Sequence, residues 1–341
     1  MDKLARRSAR DRSDLFSEVA ARLGIRPTIV EKDFWVCFTL NLLFTKSPYR
    51  DSLVFKGGTT LSKVYGLIER FSEDVDLVLD WRLIGFGEGL EDPMRAFESK
   101  TRRDKFNKEI NRLAAVFIAN TLCPELDRLL REENIGLSAV VDEADGHIVN
   151  IRYPAAFSEA YLRPEVRLEI GPLASWVPSA PHIVRPYAFD VFPELFVNPH
   201  CPVTAIAAER TFWEKVTILH QEAHRDGLIP HRYSRHFYDL YKLSLSPVRH
   251  SAIEQISLLE QVVAFKERFY PCKWARYELA RPGSLRLLPA GQARIVELER
   301  DYRAMQMMLF GQPPEFSSII EALTELEQAI NSLSARLPTQ T

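Results

Sequence analysis

The stretch that most constrains this chain is a double glycine followed by a spaced pair of aspartates. It reads Phe55-Lys56-Gly57-Gly58-Thr59-Thr60-Leu61, then Arg70-Phe71-Ser72-Glu73-Asp74-Val75-Asp76-Leu77-Val78-Leu79. The pattern predicts a strand over 52–55, a glycine turn, a helix over 59–67 and a second strand from Asp74. Gly57 and Gly58 carry no Cβ, so the backbone can turn tightly there and approach a ligand. The free N–H groups and positive end of the following helix suit a phosphate. Alternate side chains of a strand share a face, so Asp74 and Asp76 project together while Val75 and Leu77 point to a core.

Paired carboxylates beside a phosphate cradle are what two-metal phosphoryl transfer requires. Two magnesium ions ~3.5–4 Å apart activate an attacking hydroxyl and stabilise the leaving oxygen. Magnesium prefers oxygen ligands and keeps substrate phosphates and waters in its shell; manganese is the other expected ion. An Asp-x-Asp by itself reads better as an exposed strand start with two solvated aspartates. The Gly-Gly-Thr turn upstream reverses that balance.

Other chemistries are excluded or weakened. Lys56-Gly57-Gly58-Thr59 is not a Walker A sequence, and no G-x-S-x-G elbow occurs. The trio Gly85, Gly87 and Gly89 lacks G-x-G-x-x-G spacing and opens no periodic helix, so it reads as a loop. His220 and His224 share a helix face, but Gln221 and Ala223 stand where a zinc protease carries its glutamate. Cys37, Cys123, Cys201 and Cys272 form no CxxC pair, which argues against a zinc site or disulfide framework and fits a reducing cytoplasm. The net charge of −2 gives no global pull toward nucleic acid, so such binding needs a local patch. No apolar run approaches the ~20 residues of a membrane helix, and the N-terminus lacks a signal peptide's apolar stretch.

The 341 residues suffice for one large domain or two modest ones. Residues 1–12 are basic and read as frayed. Helices are expected over 14–23 and 27–44, the second largely buried. A long charged helical region spans 93–133, with a break at Cys123-Pro124. Residues 137–153 read as a hairpin turning at 142–146. Strands are expected over 165–171 and 184–191, then a boundary near 198–202. Helices follow over 203–224, 234–243, 252–269, 287–309 and 315–333. The domains are therefore 1–200 and 201–341.

Gly57-Gly58-Thr59 followed by Asp74-x-Asp76 resembles the signature of DNA polymerase β-like nucleotidyltransferases. The longer string from Lys56 to Leu77 resembles one branch, the AbiEii/AbiGii toxins of type IV toxin–antitoxin and phage-defence systems. Glu31-Lys32-Asp33-Phe34-Trp35 resembles the segment before the glycine turn in those toxins; simple helix capping explains its charges as well. The resemblance implies an α+β fold, with a mixed-sheet nucleotidyltransferase core and a C-terminal helical domain contributing to the cleft. It implies nucleotide contacts by Lys56, Gly57, Gly58, Thr59, Ser72 and Arg235. It also implies a third carboxylate on a neighbouring strand, for which Glu169 is the candidate and Asp190 the alternative; an ion pair with Arg167 is the bland reading of Glu169. Lys215, Arg235, Asp239 and Leu240 match the toxins' lysine and Arg-Asp-x-x-Asp-Leu segment, with His236 replacing the first aspartate. Lys215 and Asp239 then join Asp74, Asp76 and Glu169 as catalytic residues, although a salt bridge between neighbouring helices explains them equally.

The implied activity is transfer of a nucleotide from a nucleoside triphosphate to an acceptor hydroxyl, with the tRNA 3′ end as the expected acceptor. The expected partner is an antitoxin encoded nearby that need not touch the toxin. Nucleotidylation of a protein and nucleotide binding without transfer are the alternatives. Residues 266–286 hold Lys266, Arg268, Lys273, Arg276, Arg281 and Arg286 among Phe269, Tyr270, Trp274 and Tyr277, with Arg225 and Arg232 nearby in sequence. This is either an RNA-docking face or a helical core with solvated cations.

Overall fold

The computed structural model describes residues 1–72, 74–87, 89, 91–157 and 163–335. Glu73 of the motif and Glu88 of the glycine loop lie outside them. The chain divides into two compact units, Met1–Val64 with Phe71–Ile206, and Tyr65–Arg70 with Ala207–Thr341.

The first unit is built on one mixed seven-stranded sheet, and the fold is α+β. Its strands are β1 (Leu53–Lys56), β2 (Asp74–Leu79), β3 (Ser138–Val141), β4 (Ile148–Arg152), β5 (Glu165–Gly171), β6 (Ser179–Val184) and β7 (Cys201–Ile206). Their order is β3-β4-β5-β2-β1-β7-β6. The glycine-turn strand β1 and the aspartate strand β2 are thus central neighbours. They run antiparallel, whereas β2–β5 and β1–β7 are parallel. The expected hairpin is β3–β4, paired antiparallel.

The helix Pro27–Thr45 is apolar around most of its circumference, and it is buried along nearly its whole length. Its charged residues are buried too. Glu31 accepts hydrogen bonds from the Ala156 and Phe157 backbone N–H groups at 2.7 and 3.3 Å. Asp33 pairs with Lys63 at 2.6 Å and accepts from the Tyr187 N–H at 2.7 Å. These side chains tie distant segments together rather than cap the helix.

Several sequence expectations are corrected. Residues 1–12 are not frayed: Leu4 and Ala5 are buried, and buried Arg12 donates to the carbonyls of Ala5, Arg7 and Pro154. The helix Ala9–Leu23 starts earlier than expected, with the Ser8 hydroxyl accepting from the Asp11 N–H at 3.1 Å. Residues 184–191 are not a strand; β6 ends at Val184 and Tyr187–Val191 is a short helix entered through Pro186. Residues 201–206 are strand β7 rather than the start of a helix. Pro202 fits there because it faces Ile183 of β6, while β1 pairs only at Ala205. The expected break at Pro124 is a π-helical turn, Ile118–Leu122, which widens the helix and absorbs the missing N–H.

The second unit is helical: Ala208–Ala223, Ser234–Ser244, Val248–Glu254, Ser257–Phe269, Gln292–Met305 and Phe316–Ser332. The helix expected over 287–309 starts only after Pro289 and Gly291, and that over 252–269 is two helices split at 255–256.

The buried Asp33–Lys63 pair joins the long central helix to the helix that leaves the glycine turn. Removing one partner strands a buried charge, so Asp33→Ala should lower the unfolding free energy by ~3–5 kcal/mol. Urea denaturation checks this; a change below ~1 kcal/mol would mean that Lys63 finds solvent.

Candidate active site

The geometry begins where β1 hands over to the turn. Lys56 stands opposite Asp76 in the antiparallel register. Gly57 follows with φ of 83°, a left-handed conformation that side chains disfavour. A Cβ added there would lie 1.9 Å from Asp76 Oδ2 and 2.7 Å from its Cγ. Position 57 therefore needs glycine for two reasons: the backbone is left-handed, and the aspartate carboxylate occupies the side chain's place.

The helix after the turn, Gly57–Lys63, starts two residues earlier than expected and ends four sooner. So short a helix adds little dipole, and the turn's own N–H groups are its main offer to an anion. The Thr59 hydroxyl donates to the Asp74 carbonyl, and the Thr60 hydroxyl to the Gly57 carbonyl at 2.7 Å. Thr59 thus ties the turn to β2, and Thr60 closes the turn on itself. Half-buried Ser72, with Thr59, Ser62, Lys63 and Tyr187, lines a cavity of about 10 Å³, room for one water. Lys63 lies 3.8 Å from the Tyr187 ring centroid. Burial alone would lower its ammonium pKa, but the Asp33 carboxylate outweighs this and raises it.

On the other side of β2, the parallel register places Asp74 opposite Arg167 and Asp76 opposite Glu169. Glu169 is therefore on the strand adjoining the aspartates. Asp190 is on the short helix after β6, paired with Arg185 at 2.8 Å. Arg167 Nε lies 3.1 Å from Glu169 Oε1 and 3.7 Å from Asp74 Oδ1, and Nη1 lies 3.8 Å from Asp142 Oδ2. Sequence reasoning gave Arg167 one carboxylate neighbour; the fold gives it three. Asp142, from the β3–β4 turn, was missed because nothing local signals that the hairpin returns to β5.

The donor set fits a hard divalent cation. Asp74 and Asp76 offer carboxylate oxygens on one partly exposed face, the Asp76 carboxylate lying in the space that a side chain at position 57 would take. Among the described residues no three His, Cys, Asp or Glu side chains gather tightly enough to hold a metal by themselves. Magnesium is commonly held by one or two carboxylates with substrate phosphates and water completing its shell, so the pair suffices. Glu169 stands beside the pair with its carboxylate against Arg167.

Lys215 and Asp239 lie in the second unit and form a buried network with Arg70. Arg70 donates through Nε and Nη2 to the two Asp239 oxygens at 2.6 and 2.8 Å, and Lys215 Nζ is 2.8 Å from Oδ2. Burial would raise the Asp239 carboxyl, but the two cations outweigh it and hold it well below the usual carboxylate range. His236 supplies what its substitution left open: Nδ1 lies 3.1 Å from Lys215 Nζ and accepts from the ammonium. Desolvation, then the charges of Lys215 and Arg235, push its pKa well down, so the ring is neutral. Arg235 itself is exposed.

The remaining sequence candidates resolve plainly. His220 Nε2 donates to the Arg276 carbonyl at 3.0 Å and Nδ1 accepts from the Arg286 N–H at 3.1 Å. Burial lowers its pKa to about 4, and both nitrogens are engaged, so it is no metal ligand. In the 266–286 segment Phe269 and Tyr277 are core residues, whereas Tyr270 and Trp274 are exposed, Trp274 with Arg225 at 4.4 Å from its ring centroid.

The model of the family described as the nucleotidyl transferase AbiEii toxin of type IV toxin–antitoxin systems matches residues 41–329. The chain belongs to this family and is a nucleotidyltransferase. Such toxins act on nucleoside triphosphates and are paired with an antitoxin, and the family's enzymes generally use divalent metal ions. No curated protein sequence gives a significant match. Among solved structures the chain is similar to MenT4, a nucleotidyltransferase toxin from Mycobacterium tuberculosis H37Rv, at 18% identity over 93% of this chain and 98% of that one, with a TM-score of 0.42. A likeness at that level adds no argument about the site.

Gly57→Ala should abolish transfer while costing ~1–3 kcal/mol of stability, since the new methyl must displace the Asp76 carboxylate and strain the turn. Full activity in a folded Gly57→Ala protein would refute the close approach. A second expectation concerns pH. His236 and His220 have folded pKa values below the unfolded value of about 6.5, so the unfolded chain binds more protons and stability falls as pH drops below that value. Each contributes up to ~1.4 kcal/mol per pH unit. His236→Asn should therefore remove about one proton's worth of slope between pH ~6.5 and ~5, read by urea unfolding. An unchanged slope would mean that the ring titrates as if solvated.

Proposed function

We propose that the chain transfers a nucleotidyl group from a nucleoside triphosphate to an acceptor hydroxyl at Asp74 and Asp76, with the Gly57-Gly58-Thr59 turn holding phosphates. The observation that carries this is the close approach of Gly57 to Asp76. It sets a phosphate-binding backbone directly beside two carboxylates on one face. Two magnesium ions, or manganese in their place, would be held by these aspartates and would supply charge neutralisation at the α-phosphate and activation of the attacking oxygen. Lys56 and Ser72 flank the turn as further nucleotide contacts. Glu169 joins the aspartates as the third carboxylate once Arg167 yields to substrate charge, in preference to Asp190 on its separate helix. The acceptor oxygen attacks the α-phosphorus, and pyrophosphate leaves.

For Lys215 and Asp239 the geometry within their own unit supports an orienting role. Asp239 and His236 fix the ammonium, and Lys215 is the triphosphate countercharge. Arg235, exposed beside them, is the further nucleotide contact. The acceptor is an RNA, with the tRNA 3′ end as the specific expectation, and its modification inhibits growth; the antitoxin, encoded nearby, represses transcription and need not touch the toxin. The reading includes a cytoplasmic location, where triphosphates and RNA meet.

Asp74→Ala and Asp76→Ala should each reduce labelled-nucleotide transfer to total tRNA by about a thousandfold, several kcal/mol of lost transition-state stabilisation. Stability should change by no more than ~0.5 kcal/mol for Asp74, because its carboxylate is partly exposed, as is the Arg167 guanidinium 3.7 Å away. Transfer at the normal rate by either variant would refute the assignment. Label on a protein in a tRNA-free extract, with none on tRNA, would favour protein nucleotidylation instead.

A further inference from the structure

A second feature of the first unit is unused by this chemistry. The helix Lys100–Phe117 carries Lys100, Arg102, Arg103, Lys105, Lys108 and Arg112 against only Asp104 and Glu109 over residues 100–112. Arg102, Lys105, Lys108 and Arg112 are exposed and fall on one helix face by their spacing. In a chain of net charge −2 this is a concentrated positive patch.

Beside it opens a cavity of about 450 Å³, within the range of ligand pockets, and none of the proposed catalytic residues lines it. Its walls include Arg95, Phe97, Arg102, Lys105 and Phe106. Phe106 is anchored edge-on against buried Phe86 at 5.3 Å, and Phe97 lies 5.0 Å from Phe106. The Arg95 guanidinium sits 4.5 Å from the Phe97 centroid and 5.4 Å from that of Phe106. Half-exposed rings with a guanidinium plane suit a flat aromatic ring, and the cations at the rim suit phosphates.

Two carboxylates, Glu98 and Glu109, share the lining; Glu98 pairs with Arg102, and Glu109 with Arg112 at 2.7 Å. They oppose a phosphate-rich small molecule or an acidic peptide. They also accept hydrogen bonds from exocyclic amino groups, which cytosine, adenine and guanine carry and uracil lacks. We propose that this cavity binds an unpaired, amino-bearing nucleotide of the RNA acceptor, that is, one whose base is not uracil. The inference rests on the RNA-acceptor reading above. It gives the acceptor a docking point made of stacking and charge, in place of the 266–286 segment where two of the four aromatics are core.

The test uses the full chain without triphosphate, in EDTA, with labelled oligo(rC), oligo(rA) and oligo(rU) of about eight nucleotides. Fluorescence anisotropy should show oligo(rC) and oligo(rA) binding about tenfold tighter than oligo(rU). Arg102→Glu with Lys105→Glu should weaken all three by at least about tenfold and flatten the salt dependence by roughly two counterions. Phe97→Ala should weaken binding by about tenfold. Glu98→Ala with Glu109→Ala should erase the preference over oligo(rU) while binding persists. Melting curves establish that each variant is folded. Equal wild-type affinity for the three oligomers, or unchanged affinity and salt slope in the charge-reversed variant, would overturn the proposal. So would displacement of oligonucleotide by an acidic peptide at equal concentration, which would assign the cavity to a protein partner. The two readings fail separately. Wild-type transfer to RNA together with lost oligonucleotide preference refutes only the cavity. Oligonucleotide binding without transfer to RNA refutes the acceptor reading.

Discussion

The site depends on one contact, the approach of Gly57 to the Asp76 carboxylate. It is possible only because β1 and β2 are antiparallel neighbours with Lys56 opposite Asp76, and because position 57 has no side chain. The same register fixes the face on which Asp74 and Asp76 project, since a one-residue slip would turn both into the core. The parallel pairing of β2 with β5 then brings Arg167 and Glu169 alongside. Turn, aspartates and flanking carboxylate are thus consequences of three adjacent strands at the centre of the sheet, where neighbouring strands leave the least freedom to shift.

Around that contact both units bury charge in paired groups. Asp33 and Lys63 hold the helix of the turn to the central helix, and Arg70, Asp239 and Lys215 form the corresponding cluster in the second unit. Such pairs contribute little net stability when complete, but a broken pair leaves an uncompensated charge in a low-dielectric interior. Their value here is positional. Lys63 cannot leave Asp33 cheaply, and Lys215 is held by Asp239 and His236 together. The family's first aspartate at position 236 would add a second anion to this cluster. A neutral imidazole instead accepts from Lys215 without changing the cluster's charge.

What was legible in the sequence follows from which signals are local. The glycine turn and Asp-x-Asp read correctly as strand, turn and strand because glycine and alternation act within a few residues. The family followed from the same residues. The buried central helix was legible because its apolar residues leave no polar face. The strand at 201–206 was not: Ala205, Ala208 and Phe212 mimic a helical stripe, and Pro202 argues against a strand until its place beside β6 is known. Residues 1–12 looked frayed because Arg12's carbonyl partners, Pro154 among them, are set by tertiary packing. Asp142 and Asp33 were invisible as neighbours of Arg167 and Lys63 for the same reason. In 266–286 composition suggested an RNA face, yet burial of Phe269 and Tyr277 is a property of the packed helices rather than of spacing.

In the proposed transfer, bond making occurs at the α-phosphorus. The most direct test incubates the protein with an RNA acceptor and magnesium, using nucleoside triphosphate labelled at the α-phosphate in one reaction and at the γ-phosphate in another. Attack at the α-phosphorus predicts that the α label ends on the acceptor and the γ label leaves in pyrophosphate. Transfer of the γ label to the acceptor, or retention of both labels in intact triphosphate, would contradict it.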